Sequence, residues 1–114
     1  MSVKDSLVVI WTSGDKDVAM NMVFMYILNA KRRNWWKDLR LIVWGPSALL
    51  ASSDPDIQKE MARMLELGVL LEGCKACADR YGVSSRLSDL GIEVKYMGIP
   101  LTQYIREGRH VISF

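Results

Sequence analysis

Apolar residues along the chain fall into short unbroken runs that alternate with longer stretches of helical spacing. Residues 7–11 (Leu-Val-Val-Ile-Trp) form a continuous apolar run rich in β-branched side chains, the pattern of a parallel strand covered on both faces. Thr12-Ser13-Gly14-Asp15 then turns the chain, and Asp15 or Asp17 is placed to cap a helix over 16–33. Lys31, Arg32 and Arg33 fall at the negative end of that helix, where cations are favourable. A second apolar strand, 39–44, is stopped by Gly45-Pro46. Asp54 and Pro55 then make a strong helix start as N-cap and first helical residue. Ile57, Met61, Met64, Leu65 and Leu67 follow at helical spacing until Gly68 closes the helix. Residues 69–71 read as a third strand, with a helix beginning at Gly73-Cys74 and ending at Gly82. Ser84 or Ser85 caps a short turn through Leu90, and residues 92–96 alternate cleanly, which marks a strand near a sheet edge. A helix over 100–107 and a strand over 110–114 complete the order βαβαβαβαβ.

That order predicts an α/β fold, a three-layer α/β/α sandwich with about five mostly parallel strands and right-handed crossovers. The 114 residues fit a single domain over 1–114, without repeat or linker. Half the residues are hydrophobic and a quarter charged, a composition that excludes disordered and collagen-like classes. A formal charge of +2 is too near neutral to argue for nucleic-acid binding. The apolar stretch 18–28 is interrupted by Asn21 and is too short for a membrane span, and the segment from Met1 lacks the marks of a secretory signal. The reading is a cytoplasmic protein that contacts neither nucleic acid nor membrane.

In sheets of this kind a ligand site is expected beyond the carboxyl ends of the strands, at a switch in strand order. Three loops qualify: 12–15 with Asp15, 45–47 with Gly45, Pro46 and Ser47, and 72–74 with Gly73 and Cys74. The third carries the chemistry, because Cys74 at a strand–helix junction turns its sulfur toward backbone N–H groups, which favours thiolate over thiol. Cys77, one turn on, lies on roughly the same face. The plainer reading makes both cysteines small buried hydrophobes. Two cysteines and the single His110 cannot complete a four-ligand structural zinc site, so neither a metal nor another cofactor is expected. A thioredoxin-type protein would place its pair after an early strand rather than the third.

The run Gly68-Val69-Leu70-Leu71-Glu72-Gly73-Cys74, continuing to Arg80-Tyr81-Gly82-Val83 with Leu90-Gly91-Ile92-Glu93-Val94 behind it, resembles the DsrE/DsrF-like family of sulfur-relay proteins. Val43-Trp44-Gly45-Pro46 and the apolar first strand fit the same pattern, so the resemblance covers nearly the whole chain. It implies that Cys74 accepts and passes sulfane sulfur as a persulfide, between donor and acceptor proteins of an intracellular relay. It also implies trimers or hexamers. Cys77 departs from the commonest pattern of that family, which leaves a Cys74/Cys77 dithiol redox protein open beside a sulfur carrier or sulfurtransferase subunit. A non-catalytic small-molecule or protein-binding module of the same fold, with structural cysteines, is the other alternative.

The remaining polar candidates have simpler readings. Asp15 serves first as a helix cap, and Ser47 either offers a hydroxyl to an anion or starts a short helix. The basic and aromatic segment 31–37 reads as a helix end followed by packing tryptophans. Helix 16–33 is apolar on more than the stripe that packing on a sheet explains, and with Trp35 and Trp36 it predicts a surface covered by another copy of the chain.

Overall fold

The computed structural model describes residues 3–114; Met1 and Ser2, the start of the segment read for a secretory signal, lie outside them. Strand β1 (Ser6–Trp11) leads into α1 (Lys16–Val18), a widened π turn (Ala19–Val23) and α2 (Phe24–Arg32). Then follow β2 (Asp38–Val43), α3 (Ser47–Ser53), α4 (Pro55–Glu66), β3 (Leu70–Cys74), α5 (Lys75–Tyr81), α6 (Ser84–Asp89), β4 (Glu93–Lys95), α7 (Gly98–Arg106) and β5 (His110–Ser113). All strand pairs are parallel, in the order β4-β3-β2-β1-β5. The alternating segment is the edge strand β4, although only three of its residues pair.

The helix starts follow from local chemistry. Asp15 accepts hydrogen bonds from the amides of Asp17 and Val18, and Asp54 does the same for Asp56 and Ile57, with Pro55 at the first helical position. The segment read as one helix from 16 is continuous to Arg32 but passes through the π turn. Such widened turns re-aim side chains. Here Val23, Phe24 and Ile27 face the core, while Met22 and Met25 are exposed. Gly82 ends α5 at φ 71°, a left-handed conformation that costs a residue with a Cβ about 1–2 kcal/mol.

Strand order decides how the layers are filled. From β1 through β4 the chain steps in one direction across the sheet, so right-handed crossovers put the intervening helices on one face. The connection from β4 to β5 runs back past three strands, and the same handedness puts α7 alone on the other face. The large core lies on the first face, where Val9, Leu41 and Leu71 stand in register beneath Phe24, Ile57 and Met61. On the opposite face Val8, Ile42 and Cys74 form a small cluster with Met97, the N-cap of α7, and with Tyr104 of α7 itself. The third layer is therefore one helix. Ile10, on the face read as fully covered, remains partly exposed.

Candidate functional site

Cys74 is the last residue of β3 and the N-cap of α5, so the helix read as starting at Gly73-Cys74 begins at Lys75. Within β3 the parity of the strand turns Cys74 and Glu72 toward α7, and Gly73 toward the large core. Gly73 is small for a reason: a Cβ there would stand 3.0 Å from Ile92 Cγ2. Cys74 is nearly buried, at 6% exposure, against Met97 and Tyr104, while Cys77 is half-buried at the margin of the same cluster.

Burial pushes the Cys74 thiol above its ordinary pKa, and the neighbouring Cys77 side chain adds to the rise. The backbone N–H groups of Cys77 and Ala76 act to lower the pKa and do not overcome burial, and the Cys74 side chain makes no capping hydrogen bond. The net shift runs opposite to the thiolate-favouring environment expected of a helix start. The amides of that turn act in the expected direction, but desolvation outweighs them, because Cys74 lies in the cluster that α7 covers.

Beneath α7, beside the thiol, runs a set of charges that sequence reasoning did not single out. Glu72 is 2% exposed and accepts hydrogen bonds from the Tyr104 hydroxyl at 2.8 and 3.0 Å. Lys95 Nζ lies 2.7 Å from the same carboxylate, and the Arg40 guanidinium lies 3.9 Å away. Arg40 donates to Tyr104 at 2.9 Å and pairs with Asp38 at 3.0 Å, and Arg109 reaches Asp38 at 3.5 Å. Burial acts to raise the Asp38 carboxyl, and the two guanidiniums outweigh it, leaving the group below the usual carboxylate range. Burial and the adjacent Glu72 carboxylate push the Tyr104 hydroxyl up. The sequence signal was available: Arg40 and Glu72 are charged residues inside apolar strand runs, and Glu72 shares the parity of Cys74.

The other predicted residues gather at the same end of the sheet with their polar groups already occupied. Asp15 caps α1. Gly45, at φ 76°, and Pro46 shape the turn into α3, where Pro46 Cβ stands 3.3 Å from the position a Cβ on Gly14 would take. Ser47 is buried; its hydroxyl donates to the Trp11 carbonyl and accepts from the Trp44 amide, tying β1 to β2. The structure therefore brings Asp15, Gly45, Pro46 and Ser47 together as loop scaffold. The switch in strand order, where a site was expected, lies between β1 and β5, two strands from Cys74. There the amide and hydroxyl of Thr12 both donate to the Phe114 carbonyl, tying the end of β1 to the residue after β5.

Among the described residues no group of three or more His, Cys, Asp and Glu is arranged to hold a metal ion, and no helix is long and apolar enough to cross a membrane. Residues 5–114 match the DsrE/DsrF-like family. The chain belongs to that family. This DsrE/DsrF-like chain is similar over its whole length to BT1422, a conserved protein of unknown function from Bacteroides thetaiotaomicron, at 44% identity and a TM-score of 0.96, covering 98% of that protein. It is also similar in fold to the ychN protein of E. coli, at 19% identity and a TM-score of 0.76, with 96% of this chain and 98% of that one covered. No curated protein matches the sequence significantly. Membership supports a sulfur-relay-related role in general terms.

Proposed function

We propose that the protein is a sulfur carrier or sulfurtransferase-type subunit of an intracellular sulfur relay, in which Cys74 accepts sulfane sulfur from a donor protein, holds it as a persulfide and passes it to an acceptor. The observation that carries this reading is the seating of Cys74 at the end of β3 and the start of α5, under Met97 and Tyr104. The backbone N–H groups of that first turn favour negative charge there, and a persulfide is a stronger acid than a thiol, so the loaded form ionises more readily at neutral pH than the resting form does. The cover of Met97 and Tyr104 keeps water and stray thiols away. In the resting protein the same cover holds the thiol protonated, so a donor must shift α7 or the segment before it. Asp15, Gly45, Pro46 and Ser47 shape the loops and do not touch sulfur, while Gly73 lets β3 pack closely enough to place the cysteine. The burial of Cys74 is also what favours the second reading, a binding module in which the cysteine only fills space.

Intact mass after exposure to a sulfane-sulfur donor decides between them. Uptake of sulfur that Cys74→Ala abolishes supports the carrier; a wild type that neither gains sulfur nor releases sulfide supports the module. We infer self-association as well, as a trimer or hexamer in the cytoplasm. Met22, Met25, Trp35 and Ile112 are exposed apolar side chains beside a cavity of about 400 Å³ lined by Leu7, Tyr26, Trp36 and His110. Light scattering across a dilution series should give a multiple of the chain mass, and a monomer mass throughout would remove this part of the reading.

A further inference from the structure

Two thiols on one helical turn are more than a space-filling role requires, and here both pack into the same cluster under α7. Cys77 is the third residue of α5 and Cys74 its N-cap, one helical turn apart. Both are free, and Cys77 lies at the margin of the cluster that holds Cys74. Residues so spaced are neighbours on the helix surface, the arrangement in which a Cys-x-x-Cys pair at a helix start can close a disulfide.

We propose that Cys77 is a resolving thiol that discharges a Cys74 persulfide as hydrogen sulfide, leaving a Cys74–Cys77 disulfide for a dithiol reductant to reopen. The inference rests on the carrier reading above, since it begins from sulfur already on Cys74. Cys77 loses its proton to water and its Sγ attacks the Sγ of Cys74. The bond between the two Sγ atoms forms, the bond from Cys74 Sγ to the outer sulfur breaks, and HS⁻ leaves with that electron pair and takes up a proton. The outer sulfur is reduced by the two electrons that the cysteine pair gives up. A dithiol then opens the disulfide in two exchanges and departs as its own disulfide.

The leaving group selects this outcome over transfer of the outer sulfur to Cys77. Attack on the outer sulfur would expel the Cys74 thiolate, which burial makes the poorer leaving group, whereas attack on Sγ expels the anion of the more acidic hydrogen sulfide.

The test loads the full chain with inorganic polysulfide, removes the excess, and follows intact mass and released sulfide together. In the wild type the added sulfur should vanish as the disulfide mass and one equivalent of sulfide appear, and dithiothreitol should then return a protein that loads again. In Cys77→Ser, with Cys77→Ala as a second variant, sulfur should stay on Cys74 and sulfide should appear about tenfold more slowly or less, the reaction no longer being intramolecular. Equal persistence on Cys74 in wild type and variants would overturn the resolving role and leave the carrier intact, and sulfur mapped to Cys77 would overturn the resolving role too. Failure of Cys77→Ser to take up any sulfur would instead overturn the carrier reading.

Discussion

Replacing Glu72 by alanine should be among the most damaging single changes outside the apolar core, and the structure says why. The carboxylate is 2% exposed and holds Tyr104 at 2.8 Å and Lys95 at 2.7 Å, with Arg40 at 3.9 Å. Removing one partner of a buried charged set costs about 3–5 kcal/mol, because the groups left behind remain desolvated. Two features pull the expected value to the lower end. Lys95 keeps a third of its side chain in solvent and can rehydrate, and Arg40 retains Asp38. We therefore expect about 3 kcal/mol for Glu72→Ala. Glu72→Gln keeps the shape and an acceptor for Tyr104 and loses only the charge, so about 1–2 kcal/mol is expected. Urea unfolding at neutral pH measures both, with an unchanged denaturant slope showing that the native state is the one affected. Because Tyr104 touches both Glu72 and the cluster around Cys74, the same change should loosen α7 and speed alkylation of Cys74 more than that of Cys77. A Glu72→Ala variant within about 0.5 kcal/mol of the wild type, or a glutamine variant worse than alanine, would show that the carboxylate is not held as described.

Asp38 has a carboxyl pKa below its unfolded value, so the unfolded state binds more protons in acid. Its contribution should be complete above about pH 4 and lost below it, and Asp38→Asn should flatten the acid limb of a stability profile. Cys74, whose pKa is raised by burial, should alkylate with a pH midpoint above the ordinary thiol value of about 8.5; a midpoint well below it would contradict the cover provided by Met97 and Tyr104. Gly73→Ala places a methyl 3.0 Å from Ile92, itself buried, and should cost about 1–3 kcal/mol by overpacking in thermal or urea unfolding.

What the sequence made legible was local. Asp15 and the Asp54-Pro55 pair start helices because their side chains answer amides two and three residues on. Apolar runs marked every strand to within a few residues, and the alternation of 92–96 placed β4 at an edge. Cys74 fell at a strand–helix junction for the same local reasons. What was not legible depends on strand order. Periodicity says that Leu7 to Trp11 is a strand but not which strands flank it, so it could not show that the switch in order falls between β1 and β5, away from the cysteine.

The direction of the thiol shift follows from that same order. With three crossovers on one face and one on the other, the second face of a five-stranded sheet has a single nine-residue helix to cover it. One helix cannot dry that whole area, and the strands answer with charge away from the cluster and apolar groups within it. Arg40, Glu72, Glu93 and Lys95 take positions on the face that also carries Val8, Ile42 and Cys74. Tyr104 joins the two zones, its ring over the apolar cluster and its hydroxyl between Glu72 and Arg40. The hydrogen bonds of Tyr104 to these charges thus hold α7 where it shields Cys74, and the shield is what raises the thiol's pKa. A helix start alone would have lowered it; the return crossover from β4 to β5 reverses the sign.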